Sequence, residues 1–380
     1  MKRFLALMLA LCMVFALCAC GGNDKADTKD KGDKAEAAEY KVAMITDYGD
    51  ITDQSFNQTT YEACQEYCKD NSIDFNYYKP ASDSDADRVA MIENAIGEGY
   101  NVIVMPGYAF ANAIKETVGT YTDVKFVALD VSAGDLGDDF EVPENLYCAV
   151  YQEELCGYMA GYAAVKLGYT KLGFLGGMAV PAVVRYGYGF VQGVDAAAAE
   201  MEIADQVSVK YVYGGTFGPD PAVKAAMDTW FADGTEVVFA CGGGIYISAA
   251  EAAQAANAKL IGVDVDQSGI IDGAYGEGMT VTSAMKGLAP TVKAVLSAIT
   301  AGNWADFGGQ IATLGLVSEN SDENFVQLPT TTQFGNGFTA DDYAALVADL
   351  FNGKITVDNS SDTEKTPEVT VAVQYFDQIL

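Results

Sequence analysis

From residue 41 onward, short apolar runs alternate with longer stretches whose apolar residues recur every three or four positions. The runs close on Gly, Asp or Pro, as buried strands do where they enter turns. Strands are predicted at 41–47, 74–79, 101–107 and 125–130, and again at 171–176, 208–213, 236–241 and 259–264. Helices are predicted between them, at 56–71, 85–98, 109–121, 154–167, 183–200, 221–233 and 247–257. Apolar strands alternating with helices build parallel sheets covered on both faces. Two successive sets of four therefore predict an α/β protein with two doubly wound, Rossmann-like lobes. In such sheets a ligand sits beyond the carboxyl ends of the strands. Those ends carry Asp47, Gly107, Asp130, Gly176, Gly242 to Gly244 and Asp264, so three aspartates and two glycine turns are predicted to face one cleft. Asp and Gly after a strand are as often plain turn or cap residues.

Residues 1–39 read differently. Lys2 and Arg3 precede an almost purely apolar stretch at 4–16, too short to span a bilayer comfortably but suited to a signal-peptide core. Leu17-Cys18-Ala19-Cys20 follows, and it resembles the lipobox of bacterial lipoproteins: Leu at −3, a small residue at −1 and a lipidated Cys20 at +1. Cys18 fits less well, because Leu17 would take its −1 place. Residues 1–19 are thus expected to be a lipoprotein signal peptide. Residues 20–39, rich in Lys, Asp, Ala and Gly without apolar period, are expected to be a lipidated, flexible tether. An ordinary secretory signal with an incidental cysteine is the alternative.

Composition narrows the chemistry. The 380 residues include 22 Lys and Arg against 53 Asp and Glu, for a net charge of −31. A chain so acidic offers no basic patch for nucleic acid or an anionic membrane surface. Histidine is absent, which excludes Ser-His-Asp and Cys-His catalysis and the common histidine metal sites. Arginine occurs only at 3, 88 and 185, so bidentate recognition of a strongly anionic ligand is disfavoured. Past Cys20 the cysteines are Cys64, Cys68, Cys148, Cys156 and Cys241. An odd, scattered set is no disulfide framework, and the five read as small buried hydrophobes, with one incidental bridge as the alternative.

A set of motifs then falls in order. Lys41-Val-Ala-Met-Ile-Thr-Asp47 and Asp53-Gln-Ser-Phe-Asn-Gln58 open it, followed by Phe126-Val-Ala-Leu-Asp130 and Gly173-Phe-Leu-Gly-Gly-Met178. Tyr211-Val-Tyr-Gly-Gly-Thr-Phe217, Gly262-Val-Asp-Val-Asp-Gln267 and Thr282-Ser-Ala-Met-Lys286 complete it. Over about 41–305 the chain resembles the BMP/PnrA-like family, basic-membrane-protein-like, purine-nucleoside-binding lipoproteins of ABC transporters. The resemblance implies a type I periplasmic-binding-protein fold, its lobes joined by three crossing segments around a ligand cleft. Lobe 1 is expected at 40–147 plus about 281–305, and lobe 2 at 148–280 plus about 306–360. Residues 361–380 form a tail in which 368–375 alternates like a strand. Hinges are expected near 147–152, 279–282 and 302–305.

Site roles carry over by the same resemblance. Asp47 and Asn57 match residues at the purine edge, and Phe56 and Phe217 match the aromatics that sandwich the base. Asp130, Asp264 and Lys286 match residues that hold the ribose, and Gly243 marks close backbone approach. The chemistry suits these types. A neutral nucleoside asks for stacking, worth roughly 1–3 kcal/mol per base. Its hydroxyls suit carboxylates, with a lysine offsetting their charge. Taken singly, Phe56 and Phe217 read as packing residues and Lys286 as a solvated lysine.

The implied role is a membrane-anchored, extracytoplasmic substrate-binding lipoprotein of an ABC importer. Its partners would be a purine nucleoside (adenosine, guanosine or inosine), the permease and ATPase subunits, and the membrane through its lipid. A sugar or autoinducer receptor of the same fold, or a surface antigen or adhesin, are the alternatives. No enzyme and no cofactor are expected, since Gly173-Phe-Leu-Gly-Gly177 is not GxGxxG and Gly242-Gly-Gly244 is no phosphate loop.

Overall fold

The computed structural model describes residues 40–335 and 337–380. The expected signal segment 1–19 and the Cys20-led tether 20–39 lie outside the described residues. Among the described residues, no helix is long and apolar enough to cross a membrane.

Two sheets organise the chain. The first holds β1 (Lys41–Ile45), β2 (Asp74–Tyr78), β3 (Val102–Pro106), β4 (Lys125–Leu129), β5 (Leu146–Tyr151) and β11 (Gln310–Leu314). The second holds β6 (Lys171–Gly176), β7 (Ser208–Tyr213), β8 (Val237–Cys241), β9 (Lys259–Asp264), β10 (Thr280–Lys286), β12 (Val326–Gln327) and β13 (Ala372–Tyr375). Their orders are β11-β5-β4-β3-β1-β2 and β12-β10-β9-β8-β6-β7-β13. Every named pairing is parallel except β10 with β12. β3 and β8 are buried along their whole length, because helices cover both faces, and they are apolar throughout for that reason. β2 lies at an edge and exposes most of its residues. Each sheet reverses its strand order once, between β1 and β3 and between β6 and β8. Such switch points leave a crevice at the carboxyl ends of the strands.

The eight predicted strands are present within a residue or two. The lobe boundaries differ from expectation. β5 pairs with β4 and β11 and belongs wholly to the first sheet, so the first crossing falls at Gln152, at the end of the expected 147–152 hinge, and the lobe boundary moves from 147 to 151. β10 belongs to the second sheet, so the chain returns to the first at Gly287, not at 279–282. The helix Leu288–Thr300 then packs on the helix Phe56–Asp70. β11 pairs with β5, which moves the last crossing from 302–305 to 315–325. The physical reason is that 280–286 and 310–314 satisfy their backbone groups as strands. Residues 361–380 are not a separate tail either, because β13 adds to the second sheet beside β7. The five cysteines past Cys20 are free and buried.

One seam is unusually close. The helices Glu153–Lys166 and Pro181–Glu200 meet through Gly157, Gly161, Gly189 and Gly193. A Cβ added at any of the four would run into a backbone carbonyl of the facing helix: Tyr186, Phe190, Glu154 and Tyr158 respectively. Gly189→Ala is therefore expected to lower the unfolding free energy by about 1–3 kcal/mol in a urea titration, as overpacking does. Gly273→Ala, within the helix Ser268–Tyr275, has nothing within 4 Å of its new Cβ. It should be neutral or gain up to about 1 kcal/mol. Equal effects of the two substitutions would mean that the glycine seam relaxes freely.

Candidate functional site

A cavity of about 620 Å³ opens where the carboxyl ends of the two sheets meet. This is a usual size for a small-molecule site. Asp47, Phe56, Asn57, Asp130, Phe217, Gly243, Asp264 and Lys286 all line it, so the structure brings every sequence-predicted ligand residue to one place.

Asp47 lies just past β1. Its Oδ1 accepts from the backbone N–H of Tyr48 at 2.6 Å and of Gly49 at 2.7 Å. Burial pushes its carboxyl above the ordinary aspartate value, against the pull of those two bonds. Gly107 follows β3 at φ +125°, and a Cβ there would sit 2.6 Å from Asp47 Oδ2. Glycine is needed at 107 for both reasons.

Asp53 explains the start of the helix Phe56–Asp70. Its carboxylate accepts from the backbone N–H of Ser55, Asn57 and Gln58 at 2.9–3.0 Å, and from Asn57 Nδ2 at 3.2 Å. These N–H groups have no partner in the helix itself, so the aspartate fixes where Phe56 and Asn57 stand. Asn57 is buried, and its Oδ1 makes no hydrogen bond among the described residues. The Ser55 hydroxyl, freed from capping, donates to Asp264 Oδ2 at 2.5 Å.

The charged group centres on Lys286, the last residue of β10. Its Nζ lies 2.6 Å from Asp130, 3.4 Å from Glu153 and 3.8 Å from Asp264. Arg185 Nε closes the set, 2.7 Å from the other oxygen of Glu153. Burial opposes the charge on Lys286, but Asp130, Asp264 and Glu153 outweigh it and raise the lysine pKa. Burial pushes Asp130 up to about 6, against Lys286. Lys286 Nζ also sits 4.7 Å from the centre of the Phe56 ring, a cation–π distance. Asp130 and Asp264 have φ of +60° and +65°, left-handed values that aspartate tolerates better than most residues. Asp130 Oδ1 is buried with no hydrogen-bond partner among the described residues.

Phe217 lies in the loop after β7, against Gly177 and Gly242. A Cβ at Gly242 would be 2.9 Å from the Phe217 ring, and one at Gly177 would collide with it. Gly243, at φ +53°, faces the Phe217 carbonyl. The ring parallel to Phe217 is Tyr48, with centres 6.2 Å apart and planes 19° apart. Phe56 lines the same cavity, but the residue stacked on Phe217 in this structure is Tyr48. Sequence reasoning missed Tyr48, Asp53, Glu153 and Arg185. Asp53 was visible within its motif. Nothing marked the other three, since a tyrosine beside Asp47 and an acid opening a helix are ordinary.

The cavity thus combines flat rings, several carboxylates and one lysine. It can hold a neutral, planar, hydroxyl-bearing molecule and disfavours an anion. Among the described residues no group of His, Cys, Asp and Glu is arranged to hold a metal ion.

The fold and the cleft define a solute-binding protein of the type I periplasmic class, a class that works outside the cytoplasm. A crystal structure of solute-binding proteins of an ABC transporter system from Aeropyrum pernix matches it with a TM-score of 0.69. That match spans 86% of this chain and 95% of the other at 19% identity. Residues 40–332 match the Bmp family, described as ABC transporter substrate-binding protein PnrA-like. The chain belongs to this family. It is 26% identical over 376 residues to the "ABC transporter nucleoside-binding protein BmpA" of Lactococcus lactis subsp. cremoris, covering 94% of this chain and 99% of that protein. It is 29% identical to the "CD4+ T-cell-stimulating antigen" of Listeria innocua, covering 68% and 72%. The chain is therefore an ABC transporter substrate-binding protein, and its family implies a small-molecule ligand and a permease partner.

Lys286 is the sole cation within 4 Å of Asp130 and Asp264 among the described residues. Lys286→Met should cost about 3–5 kcal/mol in a urea titration, because it strands buried carboxylates. A variant as stable as wild type would mean that Lys286 contributes no net stabilisation to the cluster.

Proposed function

We propose that this protein captures purine nucleosides and delivers them to an ABC importer, held at the outer face of the membrane by lipid on Cys20. The observation that carries the reading is one cavity with a stacking ring at Phe217 and an unpartnered carboxylate oxygen on Asp130. Phe56 and Phe217 take the faces of the base. Tyr48 moves aside or widens its spacing, since a ring between two others needs about 7 Å at ordinary contact distances. Asp47 and Asn57 read the base edge. Asp130, Asp264 and Lys286 take the ribose. The nucleoside-binding name of the Lactococcus relative supports the same assignment. A bare pentose receptor would leave Phe217 and the Asn57 oxygen without use.

Calorimetry with inosine, hypoxanthine and ribose tests this. Inosine should bind best, with the free base weaker because it leaves the ribose carboxylates unmet. Phe217→Ala should weaken inosine by about 1–3 kcal/mol, roughly tenfold to a hundredfold or slightly more. Ribose binding as well as inosine, with no effect of Phe217→Ala, would make this a sugar site.

A pH series adds an independent check. The unliganded Asp130 carboxyl, near 6, is ionised at pH 7.5 and largely protonated at pH 5. Ribose hydroxyls donate to the ionised form, so binding is favoured above the pKa and lost as pH falls through it. Inosine affinity should drop about tenfold from pH 7.5 to pH 5, one unit below the pKa. Asp130→Asn should flatten that profile. A flat wild-type profile together with unchanged inosine affinity in Asp130→Asn would remove Asp130 from the ligand contacts.

The anchor is tested by fractionation. Cys20→Ala should release the protein from membranes, because acyl chains contribute about 0.8 kcal/mol per buried CH₂. Unchanged membrane retention would exclude the lipid at Cys20.

A further inference from the structure

Residues 358–380 lie beyond the segment matched by the family, 40–332. They follow a defined course over the second lobe. Asp358 exchanges two hydrogen bonds with the Gln192 amide, both 2.9 Å. Asp195 Oδ1 accepts from Thr370 N, Thr370 Oγ1 and Val371 N at 2.7–2.9 Å. β13 then pairs in parallel with β7 from Ala372 opposite Ser208 to Tyr375 opposite Tyr211. Past the strand, Phe376 N donates to Tyr211 O at 2.9 Å and Ile379 N to Tyr213 O at 3.0 Å. The Phe376 ring lies 5.5 Å from Trp230, and Ile379 packs on the core around Val212 and Met227.

The segment ends against the loop that carries Phe217. Gly215, at φ +82°, has Gln378 and Leu380 directly behind it: a Cβ there would lie 2.9 Å from Gln378 Nε2 and 2.9 Å from Leu380 O. On the cavity side, Gly177 and Gly242 form the floor under the Phe217 ring. Residues 213–218 are thus held between the sheet's glycine turns and the 376–380 backbone. A loop held on one side only samples more conformations, and ordering it on binding would cost affinity.

We infer that residues 372–380 are positioning residues for Phe217: they act as a strap that fixes the stacking loop and so sets the affinity for the base. The dependence on the base rests on the nucleoside reading above; the ordering of the loop does not. Coupling of this kind is reciprocal, so a ligand that stacks on Phe217 must also tighten the strap.

The test compares the full chain with a variant ending at Val371 and with Ile379→Asp, which undocks the end while leaving β13 in place. Hydrogen exchange without ligand is the first reading. Both variants should speed exchange of the Gly215 and Gly218 amides several-fold, and leave that of Gly177, bonded to Cys241 O in the sheet turn, unchanged. The second reading is inosine affinity. Each variant should lose about tenfold, and nothing further in a Phe217→Ala background, a non-additivity that general destabilisation would not produce. In wild type, inosine should slow exchange at Phe376 and Ile379. Should the shortened chain fail to fold, Ile379→Asp decides alone. Unchanged exchange at Gly215 and Gly218 overturns the inference whatever the ligand. So does a loss of inosine affinity that adds in full to that of Phe217→Ala. A wild type that binds no nucleoside overturns the nucleoside reading, and the exchange rates then judge the strap by themselves.

Discussion

Lys286 is buried where the two sheets face each other, and three carboxylates from three different elements converge on its ammonium. A buried cation without partners would cost several kcal/mol, and so would each carboxylate. None of the four can therefore be placed independently of the others. Lys286 and Asp264 end strands of the second sheet, whereas Asp130 follows a strand of the first. Glu153 opens the helix just past the first crossing and is itself held by Arg185. The cluster thus ties the lobes beside the cavity. Two further bonds cross there: Ser55 to Asp264, and Gln267 Nε2 to Gln54 O at 3.1 Å. Because ions lose favourable hydration as they are paired, the net strength of such a tie is small compared with its gross Coulomb attraction.

Around this cluster the chain gives up local comfort. Asp130 and Asp264 both adopt left-handed backbone, at equivalent places in the two lobes, one just after β4 and the other at the end of β9. Gly107 and Gly243 take positive φ beside Asp47 and Phe217. Such outliers cost of order 1–3 kcal/mol each for non-glycine residues and survive only where the surroundings fix them. The surroundings here are the fully buried strands β3 and β8 and the glycine seam between the helices Glu153–Lys166 and Pro181–Glu200. A rigid scaffold carries a strained rim, and the rim holds polar groups that line the cavity.

Much of this was legible in the chain. β1, β3, β4, β8 and β9 are uninterrupted apolar runs, and their terminal aspartates and glycines stand where a doubly wound sheet places its ligand. β10 was not legible, because Thr280, Thr282 and Ser283 break its apolar run while facing buried partners such as Thr332. β11 lies at a sheet edge, and Gln310 and Thr313 break its apolar run. The second and third crossings were misplaced for that reason. Among site residues, those on motifs were found apart from Asp53, while Glu153 and Arg185 were not. Their role depends on contacts with residues more than a hundred positions away or across a helix seam, and no local spacing records that. Tyr48 was invisible for a simpler reason: a tyrosine after Asp47 has many uses, and only the orientation of Phe217 selects one.

The electrostatics also limits what the cleft accepts. Asp47, Asp50, Asp53, Asp83, Asp130 and Asp264 line the cavity with Lys286 as the one cation among its lining residues. Lys286 is already engaged by three carboxylates, so little of its field remains for an incoming anion. A phosphate would meet an excess of like charge in a site where the effective dielectric is below that of water. A hydroxyl meets the opposite situation, since the acceptors outnumber the donors and Asp130 Oδ1 lacks one. The same carboxylates that make the cluster costly without a cation thus make it selective for neutral donors. Arg185 and Arg88 do not change this, because each is already committed to carboxylates, Arg185 to Glu153 and Arg88 to Asp83 and Asp85, so neither guanidinium is free for an incoming anion.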